Sequence, residues 1–238
     1  MILLALDTCD SRGSVAVLRD DEVLKAIPHE GTEDYSSWVL PNVEKTLKAS
    51  GLGIRDIDVF AVASGPGSFT GVRTGLTTVK AWSEAYGRKI ASVSRLEAMA
   101  AQAANGGEHV AVFVDAHRDQ VFGGLYRRQG PRLSLVEDEM VAAPAEFMDW
   151  VRQRSINARV SWISMDPEKM TAQEAWRDRA ALGESVELST SVLAPVIGRI
   201  GRQRALEGRL TDALSLDAEY VRRPDAEVFW KGRTGRAS

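Results

Sequence analysis

The residue types best suited to chemistry are gathered in Ser64-Gly65-Pro66-Gly67-Ser68-Phe69-Thr70-Gly71-Val72-Arg73-Thr74-Gly75. This stretch follows the apolar run Val59 to Ala63 and leads into Val72, Leu76 and Val79, spaced as one helical stripe. The order is therefore strand, glycine turn, helix. Gly65, Gly67 and Gly71 permit close backbone approach, Pro66 stiffens the turn, and Ser68 or Thr70 can cap the open amides of the helix. Those amides can hold an anion, with Arg73 as a cationic contact. A tightly packed strand-to-helix connection explains the same glycines without a ligand. The third glycine comes one residue too late for G-x-G-x-x-G, and no Gly-Lys-Ser/Thr follows, so neither familiar phosphate loop is present.

Two aspartates offer a second kind of chemistry. Asp7 ends the apolar run Ile2 to Leu6, and Asp115 ends Val110 to Val114. Aspartates in such turns approach metal and phosphate in the fold shared by acetate and sugar kinases, the heat-shock-protein ATPase domain and actin. There the turns read D-x-G, whereas here they read Asp7-Thr8-Cys9 and Asp115-Ala116-His117, and the added side chains oppose phosphate cradling. The histidines His29, His109 and His117 form no H-x-x-x-H or H-E-x-x-H pair and read as exposed turn residues, so no metal site is expected. Cys9 reads as packing, and no G-x-S-x-G elbow is present.

The elements that position these residues form a repeating pattern. Ile2–Leu6, Gly13–Leu18 and Val23–Ile27 read as a β-meander, followed by a helix from about Ser37 that carries Val39, Leu40, Val43 and Leu47, with Pro41 in its first turn. After the glycine turn and its helix come a strand at Ile90–Val93 and a helix through Leu96–Ala104. Asn105-Gly106-Gly107 then breaks the chain. A second meander follows at Val110–Asp115, Val121–Tyr126 and Leu133–Val136. Next come helices at 144–154 and 167–180 around a strand at 160–163, and a last helix at 194–207. The expected fold class is α/β: a duplicated actin-like fold with two βββ-led halves, 1–105 and a degenerate 106–227, and a basic tail at 228–238. The 194–207 helix is expected to pack back on the first half. Trp38 beside Val39, Val43 and Leu47, and Trp82 and Tyr86 beside Val72, Leu76 and Val79, give two helices with apolar surface to spare for a partner.

Length and composition fit that plan. With 238 residues the chain can bury a real core, and its single cysteine rules out an internal disulfide framework. The start Met1-Ile2-Leu3-Leu4-Ala5-Leu6-Asp7 lacks the basic flank and apolar length of a signal or a membrane span, so a cytoplasmic protein without membrane contact is expected. A net charge of -3 supplies no global pull towards nucleic acid.

Leu6-Asp7-Thr8, the Ser64–Gly75 turn, Val114-Asp115-Ala116-His117 and Glu219-Tyr220-Val221-Arg222-Arg223-Pro224-Asp225-Ala226-Glu227 resemble, in order and spacing, the TsaB (YeaZ) family. The resemblance implies a non-catalytic accessory subunit in the formation of threonylcarbamoyladenosine beside the tRNA anticodon. Its implied partners are a TsaD-type paralogue that performs the transfer, a TsaE-type ATPase, and tRNA through the complex, with a homodimer when alone. It implies no cofactor in this chain, ATP and metal being used by the partners. The paralogue's metal segment has the form V-N-H-M-E-G-H; here Val93-Ser94-Arg95-Leu96-Glu97-Ala98-Met99 replaces both histidines. The resemblance also implies that the two first-half helices meet the partner, which makes Trp38, Val39, Val43, Leu47, Val72, Leu76 and Val79 interface candidates. Asp7, Ser68, Thr70, Gly71 and Arg73 are the candidate anion or nucleotide contacts. A nucleotide-dependent phosphotransferase or ATPase of the same fold is the alternative.

Overall fold

The computed structural model describes residues 1–104, 106–130, 132–156, 158–218 and 221. Its first half holds β1 (Ile2–Asp7), β2 (Ser14–Arg19), β3 (Glu22–Pro28), α1 (Tyr35–Ala49), β4 (Val59–Ala63), α2 (Phe69–Tyr86), β5 (Lys89–Val93) and α3 (Arg95–Ala100). The second holds β6 (His109–Asp115), β7 (Val121–Gln129), β8 (Arg132–Leu135), β9 (Met140–Ala142), α4 (Pro144–Arg154), β10 (Val160–Ser164), α5 (Glu168–Thr171), α6 (Trp176–Ala181), β11 (Val186–Leu188) and α7 (Ala194–Leu206).

The sheets repeat one plan. The first runs β3-β2-β1-β4-β5 and the second β8-β7-β6-β10-β11, with β9 also on β7. In each, a meander of antiparallel strands is extended by two parallel ones. Parallel neighbours need helical crossovers, which α1, α2, α4 and the α5–α6 pair supply. This is the duplicated arrangement that the two meanders predict.

Strand alternation sorts the core. On β6, Val110, Val112 and Val114 face a large cluster shared with Leu96, Met99 and the first sheet, while Ala111 and Phe113 face a smaller cluster with Phe147, Trp162 and Trp176. The halves are thus joined through apolar side chains. Helix α7 leaves the second half and lies on the first sheet: Gly198 sits against Leu18 and Gly201 against Ala61 and Ala91, while Arg202 on its outer side pairs with Asp20 and Asp21.

Several expectations need correction. α1 begins at Tyr35, not Ser37, which puts Pro41 in the second turn, on an exposed face. The Tyr35 hydroxyl donates to the Asp10 carbonyl and anchors the earlier start. The single helix expected at 167–180 is two short ones, because only Met170 and Trp176 are buried and a turn through Gln173 separates them. β9 and β11 were not foreseen; three residues are too few to show a period. The 219–227 motif, apart from Val221, and the 228–238 tail lie outside the described residues.

Candidate functional site

β1 delivers Asp7 to the cleft between the halves, and the turn that follows decides what the glycine stretch can do. Asp7 is fully buried, and its Oδ1 accepts from the Cys9 amide at 2.9 Å. The Cys9 carbonyl accepts from Ser68 N at 2.6 Å, and Thr8 Oγ1 donates to the Gly71 carbonyl at 2.7 Å. A Cβ on Gly67 would stand 2.1 Å from the Cys9 oxygen, and one on Gly71 2.1 Å from the Thr8 oxygen. The glycines therefore admit the chain's own backbone. The surface that would cradle a phosphate is pressed against residues 8 and 9.

Arg95 completes the closure. Its amide donates to the Gly65 carbonyl at 2.6 Å, and Ser94 caps α3 by accepting from the amides of Leu96 and Glu97, which holds residue 95 at the helix start. The guanidinium is 1% exposed: Nε lies 3.4 Å from Asp7 Oδ2 and Nη2 lies 3.2 Å from Asp10 Oδ2, while Nη1 has no hydrogen-bond partner among the described residues. Burial opposes the charge, but Asp7 and Asp10 outweigh it and keep Arg95 protonated. The Cys9 thiol beside them is fully buried, and its pKa is pushed up first by that burial and then by the Asp7 charge, which fits packing and opposes nucleophilic use.

Asp10 is shared. Arg12 Nη2 reaches its Oδ2 at 2.7 Å and then spans the cleft, with Nη1 2.8 Å from Asp166 Oδ1 and Nη2 3.2 Å from Asp166 Oδ2. Burial alone would raise the Asp10 pKa, but the Arg95 charge and the Arg12 hydrogen bonds hold it well below the usual carboxylate range. On the far side, Asp166 Oδ2 accepts from the Asp115 amide at 3.0 Å, and Asp115 pairs with Lys169 at 2.9 Å. Asp7, Arg95, Asp10, Arg12 and Asp166 thus form one continuous chain of charges from half to half.

The structure joins Asp7 and Gly71 through residues 8 and 9 and leaves the side chains of Ser68, Thr70 and Arg73 outside. Ser68 caps α2 by accepting from Gly71 N at 3.4 Å, Thr70 is exposed, and the Arg73 guanidinium lies over the Phe69 ring, 3.6 Å from its centre. The donor set does not suit a divalent cation either. Arg95 puts a positive charge beside Asp7 and Asp10, and Met99 is buried. Among the described residues, no group of three or more histidines, cysteines, aspartates and glutamates could hold a metal.

Two further readings change. His29 and His109 are buried rather than exposed; only His117 is at the surface. The interface candidates Trp38, Val39, Val43, Leu47, Val72, Leu76 and Val79 are all buried in the chain's own core, because an apolar stripe on an amphipathic helix seeks its own sheet first. Trp82 packs on Phe60, 5.6 Å between ring centres. The outward faces instead show Leu40 on α1 and Phe69 and Thr77 on α2. Asp10, Arg12 and Asp166 were missed by sequence reasoning. The available signal was a charged triplet, Asp10-Ser11-Arg12, in the turn after Asp7.

Comparison with known proteins places the chain by sequence and by fold. Residues 23–192 match the family model described as TsaD: tRNA N6-adenosine threonylcarbamoyltransferase. The chain is 24% identical over 230 residues to the tRNA threonylcarbamoyladenosine biosynthesis protein TsaB of Bacillus subtilis (strain 168), covering 97% of this chain and 98% of that one. It is 28% identical over 244 residues to the protein of the same name from Escherichia coli (strain K12), covering 99% and 100%. The solved structure of YeaZ from Pseudomonas aeruginosa superposes with a TM-score of 0.71 at 26% identity, covering 92% of this chain and 99% of that one. The chain belongs to the TsaD-type family and, within it, to the TsaB (YeaZ) branch.

Proposed function

We propose that this chain is an accessory subunit of the machinery that forms threonylcarbamoyladenosine on tRNA, and that it contributes structure rather than catalysis. The observation that carries the reading is the Arg95 guanidinium seated between Asp7 and Asp10. In a fold whose enzymes use this cleft for metal and phosphate, the chain fills the cleft with its own cation. Catalysis then falls to a TsaD-type transferase assisted by a TsaE-type ATPase, and ATP and metal act there. The partner surface is the outward side of α1 and α2 around Leu40 and Thr77, which also serves a homodimer when the partner is absent. A tRNA substrate implies the cytoplasm; among the described residues, no helix is long and apolar enough to cross a membrane.

Reconstitution tests the reading. The purified chain is expected to transfer nothing to tRNA alone and to restore the modification when added to TsaD-type and TsaE-type proteins from the same cell. Threonylcarbamoyl transfer by the isolated chain would overturn it. Calorimetric titration of the chain with ATP and magnesium addresses the phosphotransferase alternative, which saturable tight binding would revive.

A further inference from the structure

Away from the cleft, a groove runs between α3, the β7–β8 hairpin and the end of α7. One cavity in it, of about 320 Å³, is lined by Arg128 of β7, Arg132 of β8, Gln203 of α7, and Glu207 and Arg209 just beyond that helix. Glu207 is held as a bound anion would be. Its Oε1 accepts from Gln203 Nε2 at 3.1 Å and lies 3.3 Å from Arg132 Nη2, and its Oε2 accepts from Arg209 Nε at 2.7 Å and from Arg209 Nη2. The carboxylate neutralises only one of these two arginines. Glu97, on the same wall, is paired with Arg204. Arg128 is tied by Nη2 to the Ala103 carbonyl at 2.8 Å; among the described residues it meets no carboxylate, and its buried Nε has no hydrogen-bond partner. The cavity therefore carries two positive charges that the described residues leave uncompensated.

We propose that this cavity binds a phosphate group and that the Glu207 carboxylate is its internal occupant. Two forked guanidinium groups and a carboxamide match the oxygens of a phosphate as they match those of a carboxylate. A phosphate dianion brings one more charge than Glu207, and Arg128 supplies the cation to receive it. The group can belong to a small phosphorylated metabolite or to an RNA backbone, and the site goes beyond the accessory role argued above, since it needs no other subunit.

The test is calorimetry on the full chain at low salt, with inorganic phosphate, adenosine 5′-monophosphate and bulk tRNA as probes. Arg132→Gln and Arg209→Gln alter side chains that are 71% and 55% exposed, so folding survives, and an unchanged melting temperature checks this. Each is expected to weaken binding by about tenfold, the equivalent of one charge-assisted hydrogen bond. Glu207→Gln is expected to tighten it, because the competing charge is gone and the amide, of the same size, holds the arginines less firmly than the carboxylate does. This pattern with phosphate and the mononucleotide assigns the site to a free phosphorylated ligand; the same pattern with tRNA alone assigns it to an RNA backbone. Absence of saturable binding to all three probes, indifference to the arginine substitutions, or weaker binding by Glu207→Gln overturns the proposal.

Discussion

Asp7 and Asp115 end the first strand of the two halves and stand at equivalent places in two sheets of one plan. Their surroundings differ in every respect that matters energetically. Asp7 is sealed, its backbone turn is pressed on the glycine stretch, and its countercharge is a guanidinium with 1% exposure. Asp115 is partly exposed and answered by a lysine on a neighbouring short helix, in a turn where His117, Arg118 and Asp119 all take left-handed backbone angles without a glycine among them. The first site needs each of its parts because a buried charge tolerates no missing partner; the second is solvated and can lose one.

The contrast can be broken at its strongest point first. Arg95→Leu leaves Asp7 buried without its cation and is expected to lower unfolding free energy by about 3–5 kcal/mol in urea titration. Asp7→Asn added to Arg95→Leu should recover part of the loss. Gly71→Ala drives a methyl into the Thr8 carbonyl and is expected to cost about 1–3 kcal/mol, read as a lower melting temperature. Arg12→Gln opens one link between halves; with its side chain about a third exposed, the loss is expected near 1–2 kcal/mol, with faster amide exchange at residues 115 and 166. Acid should leave the Arg12–Asp10 pair until late. The Asp10 pKa is depressed on folding, so its stabilisation is complete above the unfolded value of 3.8 and is lost only as pH falls through the lower folded value. An Arg12-dependent loss of stability already at pH 5 would contradict the assignment. Lys169→Gln, in the second half, is expected to cost at most about 1 kcal/mol, as exposed ion pairs do.

The fold was largely legible because its strands are apolar runs that end in polar turns, as Ile2 to Asp7 and Val110 to Asp115 show. The return of α7 to the first sheet was foreseen only as packing; the close seat of Gly198 on Leu18 needed coordinates. The site was half legible. Asp7 and the glycine turn announce themselves, and residue 95 is marked only by the resemblance, which implies a histidine at its place. What the arginine does there depends on Asp10 and on Asp166, which lies 154 positions from Arg12, and no local period reports such a pairing. The helix stripes were named as partner interface because a 3–4 spacing says which residues share a face and not what that face meets.

The span of Arg12 from Asp10 to Asp166 also bears on how the chain meets other molecules. Two lobes joined only by a linker keep their relative orientation free, and a partner that touches both must restrict that freedom as it binds. Here the restriction is imposed when the chain folds, by the Arg12 bridge and by further polar links such as Arg128 to the Ala103 carbonyl, laid over a shared apolar core. Whatever docks on one lobe finds the other already oriented, and the entropy of fixing their angle does not enter the affinity.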